Sequence, residues 1–421
     1  MSQLNVLIVG ASIAGPMAAY WFAKAGAQVT VIERFPDLRQ NGQYVDIRAV
    51  GVNVMRKIPG MEEAVRAKRP DMEGISFVRS DGCPYGVIKA SGNPDQQSLV
   101  SEYEILRGDL SRIIYDQTKR FDNVKYVFGE QIASIQYDGD DDGPVTVTFS
   151  GSLPTAKYDL VIACDGSTSR TRAIGLGCSV RDYMHPINCW AAFFTIEKDV
   201  IDGSKVGRSY SAPGGRFIGA GLHPDGGNII SFMGINRRND DQSMVPYREA
   251  SKQGIDATKK YVYEHYKGIG WKTDEILAQM MTTPDFYTTE FAQIKPPVLY
   301  KGRVVLVGDA GYAPGPTGAG TTLAMVGAYY LAGEINKHSG NLQAGLEGYA
   351  QQMKPLTDEF QKIPPLIPGI LAPQSAWALW LRNQIFRLIA WSNLLDFAQR
   401  LFGGVFEKND KYPLSEYEWA F

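Results

Sequence analysis

The sequence predicts an α/β fold: a domain of parallel strands, interrupted by a mostly antiparallel β domain, with helices at the C-terminal end. Three observations predict it. A strand, a glycine turn, a helix and a second strand fill residues 4–33, the length of a βαβ crossover. Two more buried-type strands, residues 158–164 and 304–307, end at Asp165-Gly166 and Gly308-Asp309, the strand ends where ligands sit in open α/β sheets. Between them, residues 181–295 alternate aromatic and polar side chains around Gly214-Gly215 and Gly226-Gly227, the pattern of an antiparallel sheet.

The elements follow in order. Residues 4–9 are an apolar run ending at Gly10, residues 16–25 read as a helix, and residues 28–33 are a β-branched strand. Residues 75–78 and 85–89 flank Asp81-Gly82 and read as a hairpin. Helical spacing covers residues 100–116, and a strand follows at 124–128. Strands at 132–137 and 145–149 are joined by the acidic run 138–143. That run reads as a solvated turn, since an EF-hand loop needs later ligands and a terminal Glu. A helix is expected near residues 257–266. Residues 375–402 read as a long, mostly apolar helix with Arg382, Asn393, Asp396 and Arg400 on one side. Packing over a domain interface is the plain reading of that helix. Trp377, Trp380 and Trp391 keep a peripheral membrane or oligomer contact beside it.

Composition narrows the function classes. The 421 residues are 44% hydrophobic and 21% charged, ordinary globular values for two or three domains. Forty-three basic against 45 acidic residues leave a formal charge of −2, which gives no electrostatic footprint for nucleic acid. Cys83, Cys164, Cys178 and Cys189 are too irregularly spaced for a disulfide framework or a zinc set, so a reduced, cytoplasmic compartment is expected. No signal peptide is read at the N-terminus. The uncharged stretch 363–381 holds Pro364, Pro365, Pro368 and Pro373, which makes it a poor membrane helix. His185, His223, His265 and His338 fall without ligand spacing, and no metal is expected.

Three motifs carry chemistry. Gly10-Ala-Ser-Ile-Ala-Gly15 follows a strand and opens a helix. Gly10 permits the tight turn, the helix-terminal amides can hold a pyrophosphate, and Gly15 lets helix and strand pack closely. Ser12 stands in place of the usual middle glycine, and Glu33 ends the second strand where an acid grips ribose hydroxyls. The second motif is Asp165-Gly-Ser-Thr-Ser-Arg-Thr-Arg172. The third is Gly308-Asp309 followed by Pro314-Gly-Pro-Thr-Gly-Ala-Gly-Thr-Thr322, whose free amides suit an electron-rich ring edge. The first motif makes the α/β domain Rossmann-like and dinucleotide-binding.

In this order the motifs resemble those of the class A flavoprotein monooxygenases, the para-hydroxybenzoate hydroxylase type, over roughly residues 4–350. Finer matches resemble the branch of tetracycline-inactivating monooxygenases and aromatic polyketide hydroxylases. They are Gly42-Gln-Tyr-Val-Asp-Ile-Arg48, Glu104-Ile-Leu-Arg-Gly-Asp-Leu110, and the helix from Leu323 to Glu334.

The resemblance implies a GR2-type FAD-binding domain of residues 1–72, 102–180 and 296–354, a substrate-binding domain of 73–101 and 181–295, and a helical tail of 355–421. FAD would meet Gly10, Ser12, Ile13, Ala14, Gly15, Glu33 and Arg34 through its adenosine half. Arg48 and Arg107 would bracket the diphosphate and ribityl region, and Asp309 would bind the ribityl chain or diphosphate. Gly318, Ala319, Gly320 and Thr321 would face the isoalloxazine ring, and Asp165 and Gly166 belong to the motif that contacts FAD and NADPH. The sequence departs from the family at Tyr312, where many members have histidine, and at Ala319 and Thr322, where Gln and Asn are common. The loop after Pro316 is one residue short.

The implied activity is hydroxylation of an aromatic or polyketide-like small molecule with O2 and NADPH or NADH, by way of a flavin C4a-hydroperoxide. The flavin carries the hard chemistry, so no catalytic side chain is assigned; Gln43, Arg48 and Pro316 are the candidates near the ring. Substrate candidates on the antiparallel sheet are Phe193 or Phe194, Tyr210, Phe217, Phe232 and Met233. Baeyer–Villiger oxygenation, epoxidation, a flavoprotein reductase, and a flavin-binding protein without turnover are the competing readings.

Overall fold

A computed structural model describes residues 4–39, 42–89, 103–137, 143–237, 240–363, 367–391 and 413–419. Its frame is a six-stranded sheet. The order is β17 (Tyr300–Lys301), β18 (Val304–Leu306), β11 (Leu160–Ala163), β1 (Asn5–Val9), β2 (Gln28–Glu33) and β7 (Val124–Phe128). Neighbours run parallel except β17, which is antiparallel to β18. The strands are apolar on both sides because both faces are covered.

Strand alternation splits the core. Val6, Ile8, Val29, Val31, Leu160 and Ile162 pack beneath α1 (Ala14–Lys24), α4 (Arg107–Thr118), α10 (Gly320–Lys337) and α11 (Leu342–Phe360), with α2 (Val50–Arg56) and α3 (Met61–Ala67) beside them. Leu7, Val9, Ile32 and Val161 face the other way. They meet an antiparallel sheet of β8 (Ile132–Tyr137), β9 (Val145–Phe149) and β10 (Ala156–Tyr158). Two short strands, β3 (Tyr44–Asp46) and β6 (Glu104–Leu106), pair antiparallel with Asp46 opposite Glu104. Helices α5 (Arg170–Leu176) and α9 (Asp309–Tyr312) follow β11 and β18.

The second large sheet has seven strands. They run β16 (Tyr287–Ile294), β12 (Met184–Ile196), β15 (Asn228–Ile235), β14 (Arg216–Leu222), β13 (Val206–Ala212), β4 (Gly74–Val78) and β5 (Pro84–Lys89). Only β4 and β13 run parallel. One face buries Trp190, Ala192, Phe194, Ile230 and Phe232 under α6 (Val245–Gln253), α7 (Ile255–Tyr266) and α8 (Thr273–Thr282). After α12 (Ile367–Leu371), α13 (Ala376–Trp391) packs on β5 and β13. Residues 413–419 return to α10, where the Tyr329 hydroxyl donates to Ser415 O at 2.8 Å and the Tyr417 hydroxyl to Glu334 Oε1 at 2.7 Å.

Two sequence expectations change. The helix expected over 100–116 begins at Arg107, because Glu104–Leu106 are taken into the pairing with β3. The strand expected over 158–164 divides at Asp159, whose carboxylate accepts from the Asn5 N–H at 2.8 Å. The acidic run 138–142, residues 90–102, and Asn393, Asp396 and Arg400 lie outside the described residues. Among the described residues, no helix is long and apolar enough to cross a membrane.

Candidate functional site

The strand–turn–helix at Gly10 is closed by backbone. Gly10 has φ of 105°, and a Cβ there would lie 2.6 Å from Cys164 O of the neighbouring strand end. A Cβ on Gly15 would lie 1.8 Å from Gly10 O. Both positions therefore require glycine, and the α1 amides are left facing the carboxyl end of the sheet. The Ala11 N–H donates to Glu33 Oε2 at 2.8 Å, so Glu33 stands against this turn.

A cavity of about 1300 Å³ opens here and runs to the seven-stranded sheet. Pockets for one small molecule are typically about 300–1,000 Å³, so this one has room for a dinucleotide and a second molecule. Gly10, Ser12, Ile13, Ala14, Glu33 and Arg34 line its first end. Arg107, Asp165, Gly166, Asp309, Gly318, Gly320 and Thr321 line its middle.

Arg107 begins α4 and reaches across to Ser12, with Nη2 donating to Oγ at 3.3 Å. Its Nε is buried without a hydrogen-bond partner. A buried guanidinium N–H needs an acceptor, and an anionic group of a bound cofactor fits that need. Burial pushes the Asp309 carboxyl up, while Arg107 pulls it down.

Asp165 is occupied within its own loop. Its Oδ1 accepts from the Ser169 hydroxyl, and its Oδ2 accepts from Thr171 N and Oγ1, both at 3.0 Å. The fully buried Arg172 ties this loop to the Asp309 loop. It donates to Ala310 O at 2.8 Å, Ser167 O at 2.9 Å and Val180 O at 2.8 Å. The sequence motif includes Arg172 without revealing that role.

Three expected cofactor residues do not line the cavity: Gly15, Ala319 and Arg48. Gly15 and Ala319 act through backbone, at the helix–strand contact and as the N-cap of α10. Arg48 corrects the sequence reading. Its Nε and Nη2 donate to Asp46 Oδ2 at 3.1 and 2.8 Å, and Thr322 Oγ1 holds its backbone at 2.9 Å. Asp46 and its cross-strand partner Glu104 line the wall instead, and the sequence reading missed both.

Registered partners in an antiparallel pair share a face, so two carboxylates there repel. Burial and Asp46 push the Glu104 carboxyl up to about 8, against the pull of Arg48. Folded protein thus holds a proton that the unfolded chain releases above the ordinary carboxyl value of 4.5. Stability from this group is full below that value and is lost as pH rises to about 8. Glu104→Gln is expected to flatten this decline, raising Tm at pH 8 relative to pH 5 by about 2–4 °C over wild type. Differential scanning fluorimetry across that range checks it; parallel curves contradict it.

The far end of the cavity is the open face of the seven-stranded sheet. Phe193 and Phe217 line it. Phe194, Tyr210 and Phe232 are corrections, because strand alternation turns them to the helix-covered face. Phe232 stacks on Tyr266 at 4.4 Å, and the Tyr210 hydroxyl donates to Ile269 O at 2.6 Å. Met233 does not line the cavity and packs with Cys189, Ile235 and Ala372. Gln43 and Pro316 do line it. Gln43 is held by Tyr287, whose hydroxyl contacts Gln43 Oε1 and accepts from Gln43 N at 3.1 Å. Tyr287 also stacks on Phe193 at 5.3 Å and lies under Arg39 at 4.4 Å. It is 244 residues from Gln43, and no local sequence signal marks the pair. Tyr312, at the position where histidine is common, is buried against Gly327, where a Cβ would lie 1.8 Å from its hydroxyl.

The profile of a family described as an FAD binding domain matches residues 3–359. The chain is 32% identical to the FAD-dependent monooxygenase asL4 of Sarocladium schorii, covering 93% of each chain. It is 34% identical to the flavin-dependent monooxygenase eupH of Phoma sp, covering 94% of this chain and 92% of that one. Among solved structures, tetracycline destructase Tet(51) superposes with a TM-score of 0.77 at 26% identity, covering 98% of this chain and all of that one. With an FAD-binding profile over most of its length and full-length monooxygenase relatives, the chain belongs to the class A flavoprotein monooxygenases, a family of FAD-dependent enzymes.

Proposed function

We propose that the enzyme hydroxylates a flat, aromatic or polyketide-like small molecule, using O2 and a nicotinamide nucleotide. One observation carries this: a single cavity is lined by the glycine turn at one end and by Phe193, Phe217 and Tyr287 at the other. The similarity to a tetracycline destructase supports a polycyclic substrate for this chain.

The proposed roles follow the cavity wall. The α1 amides and Glu33 hold the adenosine half of FAD, Arg107 its diphosphate, and Asp309 its polyol. The backbone of residues 318–321 faces the ring, with Gln293 Nε2 fixing that loop through Pro314 O at 3.1 Å. Bound FAD supplies the electron transfer and oxygen activation that side chains cannot. The chain orients the aromatic substrate on the sheet face and excludes water from it. In this proposal residues 1–72, 102–180 and 296–354 bind FAD, and 73–101 and 181–295 bind substrate.

Purified protein is expected to be yellow and to oxidise NADPH or NADH faster when a phenolic polycycle is added, with matching O2 uptake. Nucleotide oxidation that yields a saturated product without O2 uptake assigns a reductase instead. Retained FAD with no oxidation across the panel assigns a binding protein.

A further inference from the structure

Helix α13 sends two polar side chains inward and leaves large apolar ones outside. Arg382 is buried and donates to Ser211 Oγ, Ile370 O and Leu371 O at 2.9, 2.9 and 3.1 Å. Its guanidinium lies over Phe77 at 4.9 Å and Phe386 at 5.3 Å. Asn383 donates to the Tyr85 hydroxyl at 2.9 Å. These contacts fix the helix rotation on β5 and β13.

The apolar side faces out. Trp377, Trp380, Leu381, Ile385 and Leu388 are 68, 56, 37, 46 and 60% exposed, and at 3.6 residues per turn they form one stripe. The other exposed large apolar side chains among the described residues, Phe35, Ile255, Tyr263, Met281 and Val298, are spread over other elements. Gln384, between Trp380 and Leu388, is the one polar side chain within the stripe, and an apolar stripe of this kind marks an interaction surface.

We propose that this face of α13 docks on a lipid bilayer, lying in the headgroup region without crossing it. A 16-residue helix is about 24 Å long, and a face about 10 Å wide gives a footprint of roughly 240 Å². A stable protein partner, a second copy included, needs about 800 Å² a side. A bilayer needs only an apolar stripe with interfacial tryptophans. The helix AWALWLRNQIFRLIAW has no acidic residue, and Arg387 is exposed beside the stripe, which suits anionic headgroups. Among the described residues, none of α13 lines the large cavity, and the exposed stripe points away from the side chains that bind the helix to the sheet.

Flotation of the full-length, FAD-loaded protein with vesicles tests this, using phosphatidylcholine alone and with 30% phosphatidylserine. The protein is expected to float with both, about fivefold more strongly with the anionic vesicles. Tryptophan emission shifts to the blue and is quenched by brominated phosphatidylcholine. Trp377→Ser/Trp380→Ser/Leu388→Ser is expected to weaken binding at least about tenfold with unchanged flavin content. Absence of flotation in both vesicles overturns the proposal, as does equal flotation of the variant. A wild-type dimer that the variant converts to monomer, without flotation, assigns the face to a second copy instead.

Discussion

Gly15→Ala is expected to abolish flavin retention. The added methyl would sit 1.8 Å from Gly10 O and 3.0 Å from the Gly10 carbonyl carbon, so turn and helix must separate by more than an ångström. Neither obstacle is a flexible side chain that can swing aside. The overlap moves the α1 amides away from the position that binds an anion, and overpacking of this kind costs about 1–3 kcal/mol in stability. FAD affinity should fall at least about a hundredfold, or roughly 3 kcal/mol. The ratio of 450 to 280 nm absorbance after gel filtration reports it, with circular dichroism to show that the chain is folded. Stoichiometric FAD in a folded Gly15→Ala protein would contradict the assignment of this turn to the cofactor.

Arg172→Met is expected to destabilise the whole FAD-side sheet by about 3–5 kcal/mol. The guanidinium is fully buried and bonds three carbonyls, from the Asp165 loop, the segment after α5 and the Asp309 loop. Methionine fills a similar volume but leaves all three carbonyls without this donor, and hydrogen bonds to charged groups are the stronger kind. Removing a buried charge returns part of the loss, which sets the range. Tm should fall by roughly 5–10 °C. Lysine should rescue little, because one ammonium cannot reproduce the planar fork. A Tm within about 1 °C of wild type would show that the two loops are held by other contacts.

The βαβ unit around Gly10 was legible because its turn is set by local backbone sterics, and those leave glycines in the sequence at Gly10 and Gly15. The antiparallel region was legible from its alternation and its double-glycine turns. What that alternation did not reveal was which face is which. Helices α6–α8 cover one side of the seven-stranded sheet, and the cavity shares the other with α13, which sits on Phe77 and Ser211, so both faces carry apolar residues. A one-residue choice therefore exchanges Phe193 for Phe194. Phe217 lies on the cavity side, while Phe232 and Tyr210 lie under the helices.

The Asp46–Glu104 pair was hidden for another reason. It belongs to two three-residue strands 58 positions apart, too short for any periodicity and joined only by tertiary pairing. Arg48 drew attention as the charged end of its motif, yet Asp46 holds it off the cavity. Tyr287 is the same kind of case, since its partner Gln43 lies 244 residues earlier in the chain.

In the proposed function, this chain places an aromatic substrate beside FAD so that O2 is spent on it. Turnover under ¹⁸O2 with NADPH and the polycycle that most stimulates oxidation reports where that oxygen goes. The expected product carries one ¹⁸O atom, detected by mass spectrometry, and no label when only the water is enriched. A product that draws its new oxygen from water, or gains none while NADPH is consumed, would contradict the proposed function.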